Sequence, residues 1–218
     1  MKLLQKTTQI LTALAGWTGL TLLMIVNLKV VRVNLGLSVL GSILRSFGYF
    51  TVWTNLLVAT AVTVPILRPQ RRAGRFLSRP EIVSGLLVYI IVVGLIYHVA
   101  LARIWHPAGI HKIADAIQHY LVPILFLLHW VFVPKGTLGW KLVPWWLLFP
   151  TVYFGSIMLC GAIANVYPYP FVDVARLGLV RVLINAGVIT LGFTVVGLAV
   201  VALDRLLGRT GPNRQLQS

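Results

Sequence analysis

The chain has 218 residues, 58% of them hydrophobic and only 11% charged. That balance excludes an ordinary soluble domain and points to an integral membrane protein. The formal net charge of +15 would suit a nucleic-acid binder if the chain were soluble; its most basic loop offers neither a binding fold nor stacking aromatics, so nucleic acid is set aside.

A helix needs about 20 apolar residues to cross roughly 30 Å of hydrocarbon. Runs free of Asp, Glu, Lys and Arg occur at 10–28, 46–67, 82–102, 116–133, 142–163 and 182–203. They predict an all-α, six-helix transmembrane bundle over residues 1–207, followed by a polar, disordered tail at 208–218. Lys2 and Lys6 precede the first run as they would in a signal peptide, but no small-residue cleavage pattern follows it, so a retained span is expected.

An even number of spans puts both termini on one side. Lys2, Lys6, Arg68, Arg71, Arg72, Arg75, Arg79, Lys135, Lys141, Arg205, Arg209 and Arg214 fall on that side. They outnumber Lys29, Arg32, Arg45, Arg103, Lys112, Arg176 and Arg181 opposite. The excess predicts cytoplasmic termini and a multi-pass protein of the plasma membrane. The loop RPQRRAGRFLSRP, with Arg68, Arg71, Arg72, Arg75 and Arg79, is expected to lie on anionic lipid headgroups. Trp130, Trp140, Trp145 and Trp146 are read as an interfacial belt, with Trp105 at the outer end of the third run. Pro123 and Pro150 are expected to kink their helices. Cys160 is the only cysteine, so no internal disulfide is possible, and nothing in the sequence sets the oligomeric state.

The second run opens SFGYFTVWTNLL, placing Tyr49, Thr51, Thr54 and Asn55 among residues apolar enough for a bilayer. Polar groups there need internal partners, so their shared helical face is expected to point into protein. Helix-to-helix hydrogen bonding and a functional surface both fit. Measured from Arg45, Thr51 lies about 9 Å into its run, and measured from Asp115, His119 lies about 6 Å into its own, at 1.5 Å per residue. Tyr97 and His98 reach that level from the third run, and the loop NVYPYPFVDVAR, with Tyr169, closes the same side. Asp115 sits one helical turn before His119, where its carboxylate could orient the imidazole. His129 is read as an interfacial residue, and His106 and His111 as solvated loop residues.

Two chemistries could use this cluster. Thr51 could be a nucleophile activated by His119 and aimed at a lipid ester, with Tyr49, Thr54, Asn55, Tyr97, His98, Asp115 and Tyr169 supporting them. Alternatively, His98, His119, Asp115 and a loop histidine could bind a metal. Neither His-x-x-x-His nor a cysteine pair is present to support that, so no metal or cofactor is assigned. A lipid- or small-molecule-binding protein, or a subunit of a membrane complex, is the non-catalytic alternative. Transport is disfavoured by the lack of charges within the runs and of repeat symmetry.

YFTVWTNLL, His119 with Pro123 in HYLVP, and the YPYPF loop at 167–171 resemble a family of prokaryotic six-span membrane proteins. That family is similar to the eukaryotic androgen-induced membrane hydrolases, which cleave fatty-acid esters of hydroxy fatty acids. The resemblance covers roughly residues 8–203 and implies that Thr51 takes the nucleophile's place and His119 the base's, with Tyr169 and Pro170 in the conserved loop. The His-to-Pro spacing is one residue shorter here, and Asn55 stands one position beyond the polar residue it would match.

Overall fold

The computed structural model describes residues 2–210. Six helices are long and apolar enough to cross a membrane: Leu3–Asn34, Phe50–Leu67, Pro80–Leu101, Gly109–Val131, Leu142–Ala164 and Leu179–Arg209, called the first to sixth spans. The protein is therefore a polytopic, all-helical membrane protein. The starts of the second, third and sixth spans lie at alternate ends of the bundle. One end gathers 27–50, 97–119 and 164–181 and is called the site end; the other, where Gly136 meets Asp204 and Trp146 meets Glu81, is called the terminal end.

Several spans differ in length from their charge-free runs. The first reaches Asn34, beyond Lys29 and Arg32, whose long stems keep their charges near a helix end. The second begins later, at Phe50. A separate helix, Val39–Phe47, precedes it, capped by the Ser38 hydroxyl, which accepts from the Gly41 amide at 3.0 Å. Gly48 and the extended Tyr49 then break the chain. Thr51 thus stands in the first turn of its helix, whereas the fourth span starts at Gly109 and carries His119 well inside. The sixth helix continues through 208–210, the start of the expected tail; 211–218 lie outside the described residues.

Breaks in the helices follow local chemistry. Asn165, at φ 52°, ends the fifth span in the left-handed conformation common after helices. Pro150 sits in the first turn of the Leu148–Ala164 helix, where no intrahelical donor is lost. Pro123 is the second residue of the Val122–Val131 helix, which follows a π-helical turn at Ile117–Leu121.

The third span is the axis, with 61% of its most apolar window buried, against 11% for the fifth. Phe50 ties the surrounding spans together: its ring lies 4.9 Å from Tyr153, 5.3 Å from Phe149 and 5.8 Å from Phe193. Gly16 permits a close crossing of the first two spans, since a Cβ there would lie 2.9 Å from that of Ala59.

At the terminal end most of the buried polar groups find partners, His129 Nδ1 excepted among the described residues. Trp130, expected at an interface, is buried and donates to the Ser84 hydroxyl at 2.8 Å. Trp146 is likewise buried and donates to the Glu81 carbonyl at 3.2 Å, while Trp105, Trp140 and Trp145 are exposed. Asp204, on the sixth span, is buried and accepts from the Gly136 and Leu138 amides at 3.0 Å each. Lys135 lies 3.8 Å over the Trp130 ring and donates to the Trp130 and Val133 carbonyls. Burial pushes its ammonium down to about 8, opposed by Asp204. His129 is buried too, tilted against Phe126 at 5.9 Å, rather than interfacial.

Candidate functional site

The site end contains three single π-helical turns: Asn27–Val31, Tyr97–Leu101 and Ile117–Leu121. Such turns add a residue to a helix, re-aim the side chains beside them and are frequent at functional sites. One presents Tyr97, another presents Gln118 and His119, and the third presents Asn27. Gly94 lets the third and fourth spans meet here, because a Cβ at that position would lie 2.9 Å from the His119 carbonyl oxygen.

Thr51 and His119 face each other, with Thr51 Oγ1 3.4 Å from His119 Nε2. The other ring nitrogen, Nδ1, lies 2.9 Å from the Asp115 backbone carbonyl and 3.3 Å from the Asp115 carboxylate. With its Nδ1 proton committed to Asp115, the ring turns the Nε2 lone pair toward the Thr51 hydroxyl. The Tyr97 ring stacks on the imidazole, 3.9 Å between centroids at 17°, and its hydroxyl donates to the other Asp115 carboxylate oxygen. Imidazole, carboxylate and phenol therefore hold one another in place.

Asn55 supports both sides of this pair. It is buried and donates to the Thr51 carbonyl at 2.9 Å and to the Gln118 carbonyl at 3.4 Å, while its Oδ1 has no partner among the described residues. Gln118, which the sequence did not single out, is also buried and donates to the Gly19 carbonyl at 2.8 Å, fixing the fourth span against the first.

Tyr169 comes from the loop before the sixth span. Its phenol oxygen accepts from the Phe50 amide at 2.9 Å and also faces the amide and hydroxyl of Thr51. It thus occupies the N-terminus of the second span, where Tyr49 makes no side-chain cap. Burial pushes this phenol above its ordinary range, partly offset by those donors, and keeps it neutral. Tyr49 packs edge-on against it at 5.6 Å.

The remaining expected residues are placed elsewhere. Thr54 is buried but bonds back to the Phe50 and Thr51 carbonyls, at 3.0 Å and 3.1 Å. His98 is exposed and lies 3.3 Å from the Tyr120 hydroxyl, away from Thr51. His106 is exposed, whereas His111 lines a cavity. Among the described residues, no group of three His, Cys, Asp or Glu gathers where a metal could be held.

Two cavities meet at the Thr51–His119 pair. One, of about 160 Å³, is walled by apolar residues including Val93, Ile96, Phe154, Ile157, Ile189 and Phe193, so it reaches the fifth and sixth spans. The other, of about 420 Å³, mixes an apolar wall that includes Leu23, Val52 and Ile104 with the polar side chains of Asn27, Arg45, His111 and Asp115. Thr51, Tyr97, Leu101, His119 and Tyr169 line both. The fifth- and sixth-span wall was not legible in the sequence, because Phe154, Ile189 and Phe193 read there as ordinary span residues.

The fold and this cluster define a polytopic membrane protein with a two-chambered site, carrying a few convergent polar groups, near one end of its bundle. The chain matches no protein-family model, no curated protein and no solved structure.

Proposed function

We propose that the protein hydrolyses the ester bond of a membrane lipid or fatty-acyl ester, with Thr51 as nucleophile and His119 as general base. The observation that carries this reading is the hydroxyl–imidazole pair at the junction of two largely apolar cavities, the wider of which also holds Asn27, Arg45, His111 and Asp115. An amphiphile laid across that junction puts its acyl chain in the narrower cavity, its polar end in the wider one, and its ester beside Thr51. The resemblance of the YFTVWTNLL, HYLVP and YPYPF segments to the androgen-induced hydrolases supports the same roles.

In the first step Thr51 Oγ1 bonds to the ester carbonyl carbon as its proton passes to His119 Nε2. The carbonyl oxygen takes up negative charge, and the neutral Tyr169 hydroxyl, whose oxygen faces Thr51, is assigned as its donor. Collapse breaks the ester C–O bond, and His119 returns the proton to the leaving alcohol oxygen. Water, deprotonated by the same nitrogen, then cleaves the acyl-threonine to release the acid and restore the hydroxyl. Asp115 and Tyr97 hold the ring in the required tautomer throughout.

The competing reading is a non-catalytic lipid- or small-molecule-binding protein, or a subunit of a membrane complex. It draws on Tyr169, whose oxygen takes the Phe50 amide that a tetrahedral intermediate could otherwise use. Purified protein incubated with extracted membrane lipids separates the two. Hydrolysis predicts released fatty acid that scales with protein and is lost in Thr51→Ala and in His119→Ala; no release from the unmutated chain overturns the reading in favour of binding.

Two further assignments belong to this reading. The excess of basic residues on the terminal end supports cytoplasmic termini in the plasma membrane, with the site near the outer surface. On that end the Arg72–Leu77 helix, with Arg68, Arg71 and Arg79 around it, is the surface for anionic headgroups.

A further inference from the structure

The wider cavity holds a charge that the proposed ester chemistry does not use. Arg45 lines it, and among the described residues its guanidinium has neither a hydrogen bond nor an ion pair. Asp115 is the carboxylate in the same cavity, but one of its oxygens accepts from Tyr97 and the other faces the His119 ring. A guanidinium presents planar paired donors that suit phosphate and carboxylate oxygens, and this one is left open to a ligand.

Its position fixes the kind of ligand. Arg45 ends the Val39–Phe47 helix, whose Val39, Leu40 and Leu44 side chains are exposed, while Ser42 and Ser46 are buried and bond to Asn27. The exposed apolar side of this helix suits contact with lipid, and a charged Arg45 in its last turn is held at least cost at headgroup level. Lys29, Arg32, Arg103, Lys112, Arg176 and Arg181 share this end of the molecule, against Asp115 and Asp173, so the local field favours anions. From Arg45 the cavity runs to Thr51 and His119 and meets the apolar chamber there.

We infer that the wider cavity binds the oxyanionic headgroup of a bilayer amphiphile, a phosphodiester or a carboxylate, with Arg45 as its charged contact. The acyl chain of the same molecule occupies the apolar cavity. As a statement about substrate this rests on the hydrolase reading; as a statement about binding it does not.

Native mass spectrometry of the detergent-purified full chain carrying Thr51→Ala tests the binding without turnover. The probes are phosphatidylglycerol, oleate and dioleoylglycerol, which supply a phosphodiester, a carboxylate and no charge. At least one acidic lipid is expected to bind about tenfold or more tightly than dioleoylglycerol, and the tighter of the two names the source of the oxyanion. Arg45→Gln is expected to remove that preference, while Arg103→Gln, a cation outside the cavity at the same end, leaves it unchanged. Arg45→Lys, which keeps the charge without the fork, should fall between wild type and Arg45→Gln. No preference for acid, or equal loss in Arg45→Gln and Arg103→Gln, overturns the inference. Because binding is measured with Thr51 replaced, it stands apart from turnover: the acid preference together with no hydrolysis by the unmutated chain would sink the enzyme reading alone.

Discussion

The two ends of this bundle solve the problem of polar groups in a membrane differently. At the terminal end Trp130, Trp146, Asp204 and Lys135 are matched to hydroxyl, carbonyl or amide partners around the buried third span, and His129 Nδ1 is the buried atom there that lacks one among the described residues. At the site end the helices are interrupted by π-helical turns and two cavities meet beside Thr51 and His119. Satisfied polar contacts fasten helices, whereas open volume beside poised polar groups leaves room for a ligand. The contrast predicts that substitutions at one end change stability and those at the other change chemistry.

The largest effect is expected at the hydroxyl. Thr51→Ala should lower ester turnover by about a thousandfold or more with little change in thermal stability; comparable turnover in this variant would remove the nucleophile. His119→Ala should cost about a hundredfold to ten-thousandfold, the range of a lost general base. Gly94→Ala tests the positioning of that ring. The added methyl presses on the His119 carbonyl, and a displacement near 1 Å is expected to slow turnover by about tenfold to a hundredfold. Unchanged kinetics would mean that the close approach of the third and fourth spans does not set the geometry.

The terminal end should respond in stability instead. Asp204→Ala leaves the Gly136 and Leu138 amides without their acceptor and should destabilise the protein by about 3 kcal/mol in denaturant titrations, with turnover per folded molecule intact. Gly85→Ala drives a methyl to 2.7 Å from the Trp146 ring and should cost about 1–3 kcal/mol. By contrast, a methyl at Gly155 would meet nothing within 4 Å, so Gly155→Ala should stabilise by about 0.5–1 kcal/mol. The smallest effect concerns Lys135. Its folded pKa lies near 8, below its ordinary 10.5, so between these values the unfolded chain binds the extra proton. Stability should rise with pH across that window, and Lys135→Met should flatten the rise.

The six spans were legible because charges interrupt the hydrophobic runs. Their ends were not, since Lys29 and Arg32 can extend away from the hydrocarbon and Asp204 is held by amides from a loop distant in sequence. The break before Phe50 was hidden as well. Ser38 and Gly48 carry its local signals, but they lie within or beside an apolar stretch that also reads as the start of a span.

At the site, the depth argument put Thr51, His119, Tyr97 and Tyr169 at one level, and they line common cavities in the structure. Spacing alone could not separate Thr54 from Asn55, which lie side by side in the chain: Thr54 turns back on its own helix, and Asn55 bridges to the fourth span. His98 looked equivalent to Tyr97 in sequence, but a π-helical turn begins at Tyr97 and re-aims the residues that follow, leaving His98 exposed beside Tyr120. Gln118 carried no signal beyond being polar within an apolar run.

The central claim is that the Thr51 hydroxyl is a nucleophile activated by His119. Treating the purified protein with a fluorophosphonate and mapping the adduct by peptide mass spectrometry tests it most directly. The account predicts one phosphonyl group, carried on the Thr51 side chain and absent after His119→Ala. An adduct on another residue, or none on the folded protein, would contradict it.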